Sequence, residues 1–360
     1  MARRDALLTQ LEAIAAEFEP RLREAFMAAV ESIRSEVILA DMVERIAAGD
    51  LEGALRTVSL DPAAFQGFQE VIRQVYIAGG QAAMDGIAAT LRRSGARVSF
   101  RFNVRSPRAE AWLAEVSSQL VTAITQDQRA AIREALREGM EAGRNPYTVA
   151  RSIVGTYNRQ RRRREGGIIG ITAVQRRYVS NTDPNYPPGA RQQLLSGDPE
   201  MMKAYLTRER RDRTHDRTVA RAIREGRALT PSEVDKIVGR YADRLLGLRG
   251  DTIARTEMMG ALSGASREGV EQVVDTGRVQ RQFITKRWRT VRDARVRDSH
   301  RHLEGAVVGL DERFSNGLRH PHERGAPARE TVACRCMVTH SVDYLAQAGL
   351  APVARQTEPA

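Results

Sequence analysis

Cys334 and Cys336 are the only cysteines in the 360-residue sequence, and one arginine separates them in the stretch ETVACRCMV, 330–338. Five of the six histidines, His300, His302, His320, His322 and His340, lie between 300 and 340. Read as a strand, 332–338 places both thiols on one face, because side chains alternate with a period of two. Val332 and Val338 share that face, so it points into apolar surroundings. Read as a helix, Asp293–Leu303 carries Asp293, Val296, His300 and Leu303 along one stripe, while His302 points away. The inward set is therefore Asp293, His300, Cys334 and Cys336, with His320 or His322 able to join from the loop. Arg297, four residues after Asp293, is placed for an ion pair on the helix surface.

Two thiolates, an imidazole and a fourth ligand are what a tetrahedral zinc ion takes. The spacing speaks against it: one intervening residue on a strand holds two sulfurs apart, whereas a knuckle of two to four residues turns both onto one metal. Three chemistries stay open. The favoured one is a pair of small buried cysteines packed beside a hydrogen-bonded histidine. The second is zinc, the one cofactor that the residues allow and do not require. The third is a catalytic thiolate activated by His300. A disulfide across a single residue would be strained. The sequence has no GxxxxGK[ST] phosphate loop and no GxSxG nucleophile elbow.

The other charged group of note is the run Arg161, Arg162, Arg163, Arg164. It opens a segment, 159–227, with seventeen basic and eight acidic residues, a net of +9 out of +12 for the chain. The basic residues are almost all arginine, whose planar fork matches phosphate and carboxylate. Such a field suits double-stranded DNA or an acidic protein face. No aromatic residues interleave with the run, so DNA contact would be non-specific and strongly salt-dependent. The plainer reading is a solvated loop.

The elements that must position these residues are mostly helical. The aromatic content is 5%, which suits a core of Leu, Ile, Val, Ala and Met in a helical bundle better than a β-sandwich. Leu7, Leu11, Ile14, Phe18, Leu22, Phe26, Val30, Ile33 and Val37 form a stripe at helical spacing. Pro20 is expected to kink or divide it. Helices are expected near 38–47, 50–57, 62–76 and 79–94, then an extended stretch over 94–108. Leu113 to Ile124 make one helix face. Thr125 and Gln128 fit a capping box opening a second helix, stopped by Gly143. Asn145-Pro146 starts the next, and Thr230-Pro231 with Glu233 another capping box. In 251–274 a stripe of Ala254, Ala261, Gly264 and Ala265 allows close approach of a neighbour. Residues 278–291 read as a strand.

The fold class is thus mainly α: a helical body with a small C-terminal α+β domain. The domains expected are 1–95 (helical), 107–275 (helical core, with an arginine-rich insertion at about 159–227), 277–345 (small α+β) and 346–360 (flexible tail). No stretch approaches the roughly 20 apolar residues of a membrane span, and the N-terminus lacks the apolar core of a signal peptide.

The run WRTVRDARVRDSHRHLEGAVVGLDERFSNGL…HPH…PARETVACRC, 288–336, resembles the phage Mu protein F-like head-morphogenesis family. Its motif falls on Trp288, Asp293, Arg297, His300, Gly305, Phe314, Glu330, Cys334 and Cys336. Upstream, IARTE, 253–257, matches a further block and carries over Arg255 and Glu257. Residues 124–153 resemble the helical pair that precedes it. Ala333 departs from the pattern, which has a small polar residue such as Asn there, and 159–227 looks inserted. The resemblance implies a minor head protein of a tailed phage or prophage, without catalytic turnover. It implies partners among the portal and the capsid or scaffold proteins, with packaged DNA in some cases and no membrane. It places the protein in the virion, at the capsid interior or portal vertex, and in the host cytoplasm before assembly. The alternatives are a metal-dependent nuclease or toxin-like enzyme using the His/Cys cluster, and a basic nucleic-acid-binding protein outside any virion.

Overall fold

The computed structural model describes residues 6–93 and 95–348. The protein is mainly α, with two small antiparallel sheets. The strands are β1 Thr156–Asn158, β2 Arg163–Glu165, β3 Ile284–Arg289, β4 Val307–Gly309 and β5 Met337–Val342. No helix of the described residues is long and apolar enough to cross a membrane. The tail expected at 346–360 falls outside the described residues from 349 on, while Ala346 and Gln347 belong to the helix Tyr344–Gln347.

The chain gathers into two compact units, each discontinuous in sequence. One contains 1–25, 67–118 and 251–360; the other contains 26–66 and 119–250. Several helices are longer than their sequence signals indicate. Ala6–Glu36 runs on through Pro20. A single helix, Gln66–Arg92, replaces the two expected at 62–76 and 79–94. The Gly79-Gly80 pair that looks like a break is a packing site. A Cβ on Gly80 would lie 2.4 Å from the Phe102 ring, and Phe102 anchors the irregular stretch after Gly95 against Tyr76, with ring centroids 5.8 Å apart. Gly264 in the helix Pro231–Asp275 plays the same part for Trp112, whose indole would meet a Cβ at 2.6 Å. That indole stacks on Tyr76 at 4.5 Å. The small-residue stripe thus receives an aromatic side chain.

In the second unit the segment 166–171, Gly-Gly-Ile-Ile-Gly-Ile, threads the interior with Ile168, Ile169 and Ile171 all buried. Buried backbone must find partners, and long polar side chains supply them. Arg34 donates twice to the Ile169 carbonyl, at 3.1 and 2.6 Å. Arg249 donates to the Gly170 carbonyl at 3.1 Å. Gln128 accepts from the Gly170 N–H at 2.6 Å and donates to the Ile171 carbonyl. Gly170 has φ +96°, and a Cβ there would lie 2.6 Å from Val30 and 2.7 Å from Leu246, so only glycine fits.

This use of Gln128 corrects the expected capping box at Thr125. Pro107–Glu141 is one helix, and Gln128 turns inward to the loop rather than back to its own N-terminus. The box at Thr230 is present: the Thr230 N–H reaches Glu233 at 2.8 Å, and the Glu233 N–H reaches the Thr230 hydroxyl at 3.3 Å. Asn145 caps the helix Pro146–Val154.

The C-terminal sheet has the order β4-β3-β5, with Thr285 opposite Gly309 and Trp288 opposite Val338. Three expectations are corrected here. The strand over 278–291 shortens to β3. The helix Asp293–Leu303 shrinks to the turn Asp298–Arg301, because the Asp293 carboxylate accepts the Arg295 N–H at 3.0 Å and bends the chain first. The stretch 330–338 is not one strand: it ends the helical turn Ala328–Thr331, bends, and enters β5 only at Met337.

Candidate metal centre

The sheet and the two turns bring three side chains to one point. Trp288, one residue before the end of β3, is fully buried, and its ring meets the His300 ring edge-on at 5.2 Å and Phe314 at 5.0 Å. Gly305 ends the turn that carries His300: its N–H bonds the Trp288 carbonyl at 2.9 Å, and the Trp288 N–H bonds the Ala306 carbonyl at 3.0 Å. His300, Cys334 and Cys336 are 1%, 3% and 3% exposed, in one small core with Leu303, Leu318 and Val338.

His300 Nδ1 lies 3.4 Å from the Cys334 sulfur and 3.5 Å from the Cys336 sulfur. Its other nitrogen, Nε2, lies 2.8 Å from a Glu330 carboxylate oxygen, which also accepts from the Ser299 hydroxyl at 3.2 Å. Burial works against the charged imidazole, but Cys334 and Glu330 outweigh it and hold the His300 pKa above its ordinary value. Donation from the Cys336 thiol lowers Cys334; Cys336 is itself raised, first by giving that hydrogen bond and then by burial. The pair thus favours one thiolate sharing one proton. Trp288 pulls Cys336 toward the thiolate, and its indole N–H is buried without a well-formed acceptor.

These three residues can hold a metal ion: their ligand atoms all lie within 4.8 Å of one another. A tetrahedral zinc with its usual bond lengths sets sulfur and nitrogen about 3.5 Å apart, close to both separations found. The Glu330–His300 bond fixes the ring so that Nδ1 faces the sulfurs, as an outer carboxylate does for a metal-bound imidazole. The objection from spacing falls with the strand. Ala333 takes a left-handed conformation, φ 55°, and the Cys336 N–H folds back on the Cys334 sulfur at 3.4 Å. The resemblance has a small polar residue such as Asn at this position, and Asn is among the few residues that tolerate this conformation.

Asp293 does not join the cluster. It is exposed, and its carboxylate is paired with Arg335, which holds its pKa low. Arg297 does not pair with Asp293; it donates to the Val332 carbonyl. Val332 is 40% exposed rather than sharing a buried face. His320 bonds the Pro321 carbonyl at 2.8 Å, and His322 lies 3.1 Å from the Cys334 carbonyl. Both stay outside the three-atom set, and His322 supports the cysteine loop from behind.

The IARTE block, visible in the sequence only as a motif, buttresses that loop. The Thr256 hydroxyl accepts the Ala333 N–H at 2.9 Å. Arg255 pairs with Glu19 at 2.6 Å. Burial pushes the Glu257 carboxyl up to about 7, against the pull of His322. The signal was the block itself, a short run matching a family pattern on a helix far from the cysteines in sequence.

The arginine run forms the turn and second strand of the β1–β2 hairpin. Asn158 accepts the Gln160 and Arg161 N–H groups at 3.0 and 3.1 Å. Arg162 stands at the tip with φ 51°. Arg161 pairs with Glu165 at 3.0 Å, with Arg163 4.0 Å from the same carboxylate. Arg164 approaches the Gly155 carbonyl at 3.5 Å. Glu165 and, through the Arg164 N–H at 3.3 Å, Glu31 are the carboxylates that engage the run among the described residues.

No curated protein and no solved structure matches the chain. Residues 213–339 match the family model described as Phage Mu protein F like protein. The matched span holds the IARTE block, Trp288, His300, Glu330 and both cysteines, while the likeness read at 124–153 lies outside it. Over residues 213–339, then, this chain is similar to the phage Mu protein F-like family.

Proposed function

We propose that this protein is a minor head protein of a tailed phage or prophage, acting in head assembly at the portal vertex. The carrying observation is the family match over 213–339, within which Trp288, His300, Glu330, Cys334 and Cys336 build a closed centre and the IARTE block braces it. These side chains are used on one another, which is the arrangement of a structural knot. A nuclease working through the same cluster would need substrate at His300, and His300 is 1% exposed. In this reading His300, Cys334 and Cys336 supply three of the four ligands of one zinc ion, with Glu330 orienting the imidazole. The ion would supply a cross-link between the turn carrying His300 and the loop entering β5. The arginine hairpin supplies phosphate contacts to packaged DNA, without base recognition.

Co-purification tests the assignment. The chain is expressed with its cognate portal and major capsid proteins, particles and portal rings are washed at high salt, and the chain is counted by mass spectrometry. Retention at a few copies per particle is expected. Complete absence from washed particles and rings overturns the reading.

A further inference from the structure

In the second unit a cavity of about 70 Å³ opens between the helix Pro146–Val154 and the segment 166–168. Four arginines line it: Arg144, Arg151, Arg176 and Arg191. Two have carboxylate partners. Arg176 forks onto Glu138 at 2.9 and 3.1 Å, both side chains being 3% exposed, and Arg191 meets Asp235 at 2.7 Å. The other two do not. Arg151 donates to the Thr156 hydroxyl at 2.8 and 3.3 Å. Arg144 makes no side-chain hydrogen bond or ion pair among the described residues, although its Nε is buried. The third carboxylate on the wall, Glu165, is engaged by Arg161 at 3.0 Å and lies 3.9 Å from Arg240.

A half-buried guanidinium with no acceptor is costly, and a cavity beside it is where an acceptor fits. Burial weakens the hold of Arg144 on its proton; Glu138 works the other way, and Arg191 and Arg176 add to the weakening. Arg144 therefore sits in an electropositive pocket that its own neighbours do not neutralise. Two guanidinium groups without carboxylates match a charge of −2 better than −1. The planar fork also matches the oxygens of a phosphate group. The cavity has room for an ion of that size, and Thr148, on the cavity wall in the first helical turn, offers a hydroxyl.

We propose that this cavity binds a phosphate dianion, gripped by Arg144 and Arg151 with the Thr148 hydroxyl, the Arg176–Glu138 and Arg191–Asp235 pairs fixing the wall. The dianion is either free phosphate or the terminal phosphate of a nucleic-acid strand; an internal phosphodiester carries one charge and is not matched.

The test is calorimetric titration of the full chain with inorganic phosphate at constant ionic strength, with acetate as the comparison. One saturable site per chain is expected, with acetate weaker by roughly tenfold or more. Arg144→Gln should weaken phosphate binding by roughly tenfold or more and leave the circular dichroism spectrum unchanged. Arg151→Gln gives the same readout if the first variant fails to fold, and Arg210→Gln, whose arginine pairs only with exposed Glu209, should bind as the parent does. A short oligonucleotide with and without a 5′-phosphate separates the sources: a preference lost in Arg144→Gln assigns the terminal phosphate, and no preference assigns the free ion. No saturable phosphate binding, equal binding of acetate, or binding indifferent to both arginine variants overturns the proposal.

Discussion

Lys286 is one of three lysines in the sequence and is buried at 1% exposure in β3. Its ammonium donates to the Leu310 carbonyl at 2.7 Å and lies 5.6 Å from the Phe314 ring centre, and it forms no ion pair with a carboxylate among the described residues. Burial pulls its pKa down to about 8, with Arg267 adding to the effect. The unfolded chain keeps the ordinary value near 10.5. Between pH 8 and 10.5 the unfolded state therefore holds a proton that the native state has released, and stability rises with pH across that window. Lys286→Met should abolish this rise. It should also be neutral or stabilising near pH 7, since an apolar side chain of similar length replaces a buried charge. Arg267 still donates to the Leu310 carbonyl, at 3.3 Å. Urea midpoints at pH 7, 8 and 10 decide it; a variant that keeps the rise assigns it to another group. The sequence pointed to residues of this kind unevenly. His300 and the two cysteines were legible because Cys and His are rare in this chain and crowd into one stretch. Glu330 was legible only as a motif position, since nothing in a single sequence says which carboxylate will meet which imidazole.

At the scale of elements, helical stripes and the Thr230 cap were legible because their signals are local: apolar spacing over a few turns, and a hydroxyl three residues before a carboxylate. Gln128 was misread for the same reason. Thr125 and Gln128 have the spacing of a cap, and spacing alone does not say whether an amide turns to its own backbone or to a loop 42 residues later. The segment 166–171 was likewise read as part of a basic excursion, though its three isoleucines are buried. Its neighbours carry the charge, and a composition window averages over both. The consequence can be measured. Gln128→Leu keeps the volume and removes both polar atoms, leaving the Gly170 N–H and the Ile171 carbonyl without the partner each has here. Each unsatisfied buried group costs about 1–3 kcal/mol, so the variant should lose about 2–6 kcal/mol in chemical denaturation followed by far-UV circular dichroism. A loss below about 0.5 kcal/mol, the range of an ordinary surface change, would mean that water replaces the amide and that the segment is less tightly held than its contacts indicate.

At the scale of the whole molecule, the sequence reading took domains as consecutive stretches because shifts of composition are local, whereas each compact unit draws on separated segments. That arrangement supplies a spectroscopic handle. The chain has two tryptophans, Trp112 and Trp288, and both lie in the unit that contains 251–360. Trp112 stacks on Tyr76, and Trp288 touches the His300 ring. Tryptophan emission therefore follows the unit with the cysteine centre. If zinc joins His300, Cys334 and Cys336, the purified chain should carry one zinc ion, and a chelator should lower the emission-detected melting temperature. For a body of 150–250 residues each kcal/mol corresponds to about 2–4 °C. Loss of even about 3 kcal/mol of metal-linked stability would then move the transition by roughly 6–12 °C. His300→Gln removes the nitrogen that faces both sulfurs. It should bind no more than a fraction of the zinc, melt near the chelated parent and fail to respond to chelator. That last point separates a lost metal from a merely disturbed core, because a packing defect would lower the midpoint and leave the chelator response in place. A parent protein free of zinc after growth in zinc-supplemented medium, with a transition indifferent to chelator, would remove the ion from the account. The same distances would then describe two thiols and an imidazole sharing protons in a dry core, with Glu330 completing the set.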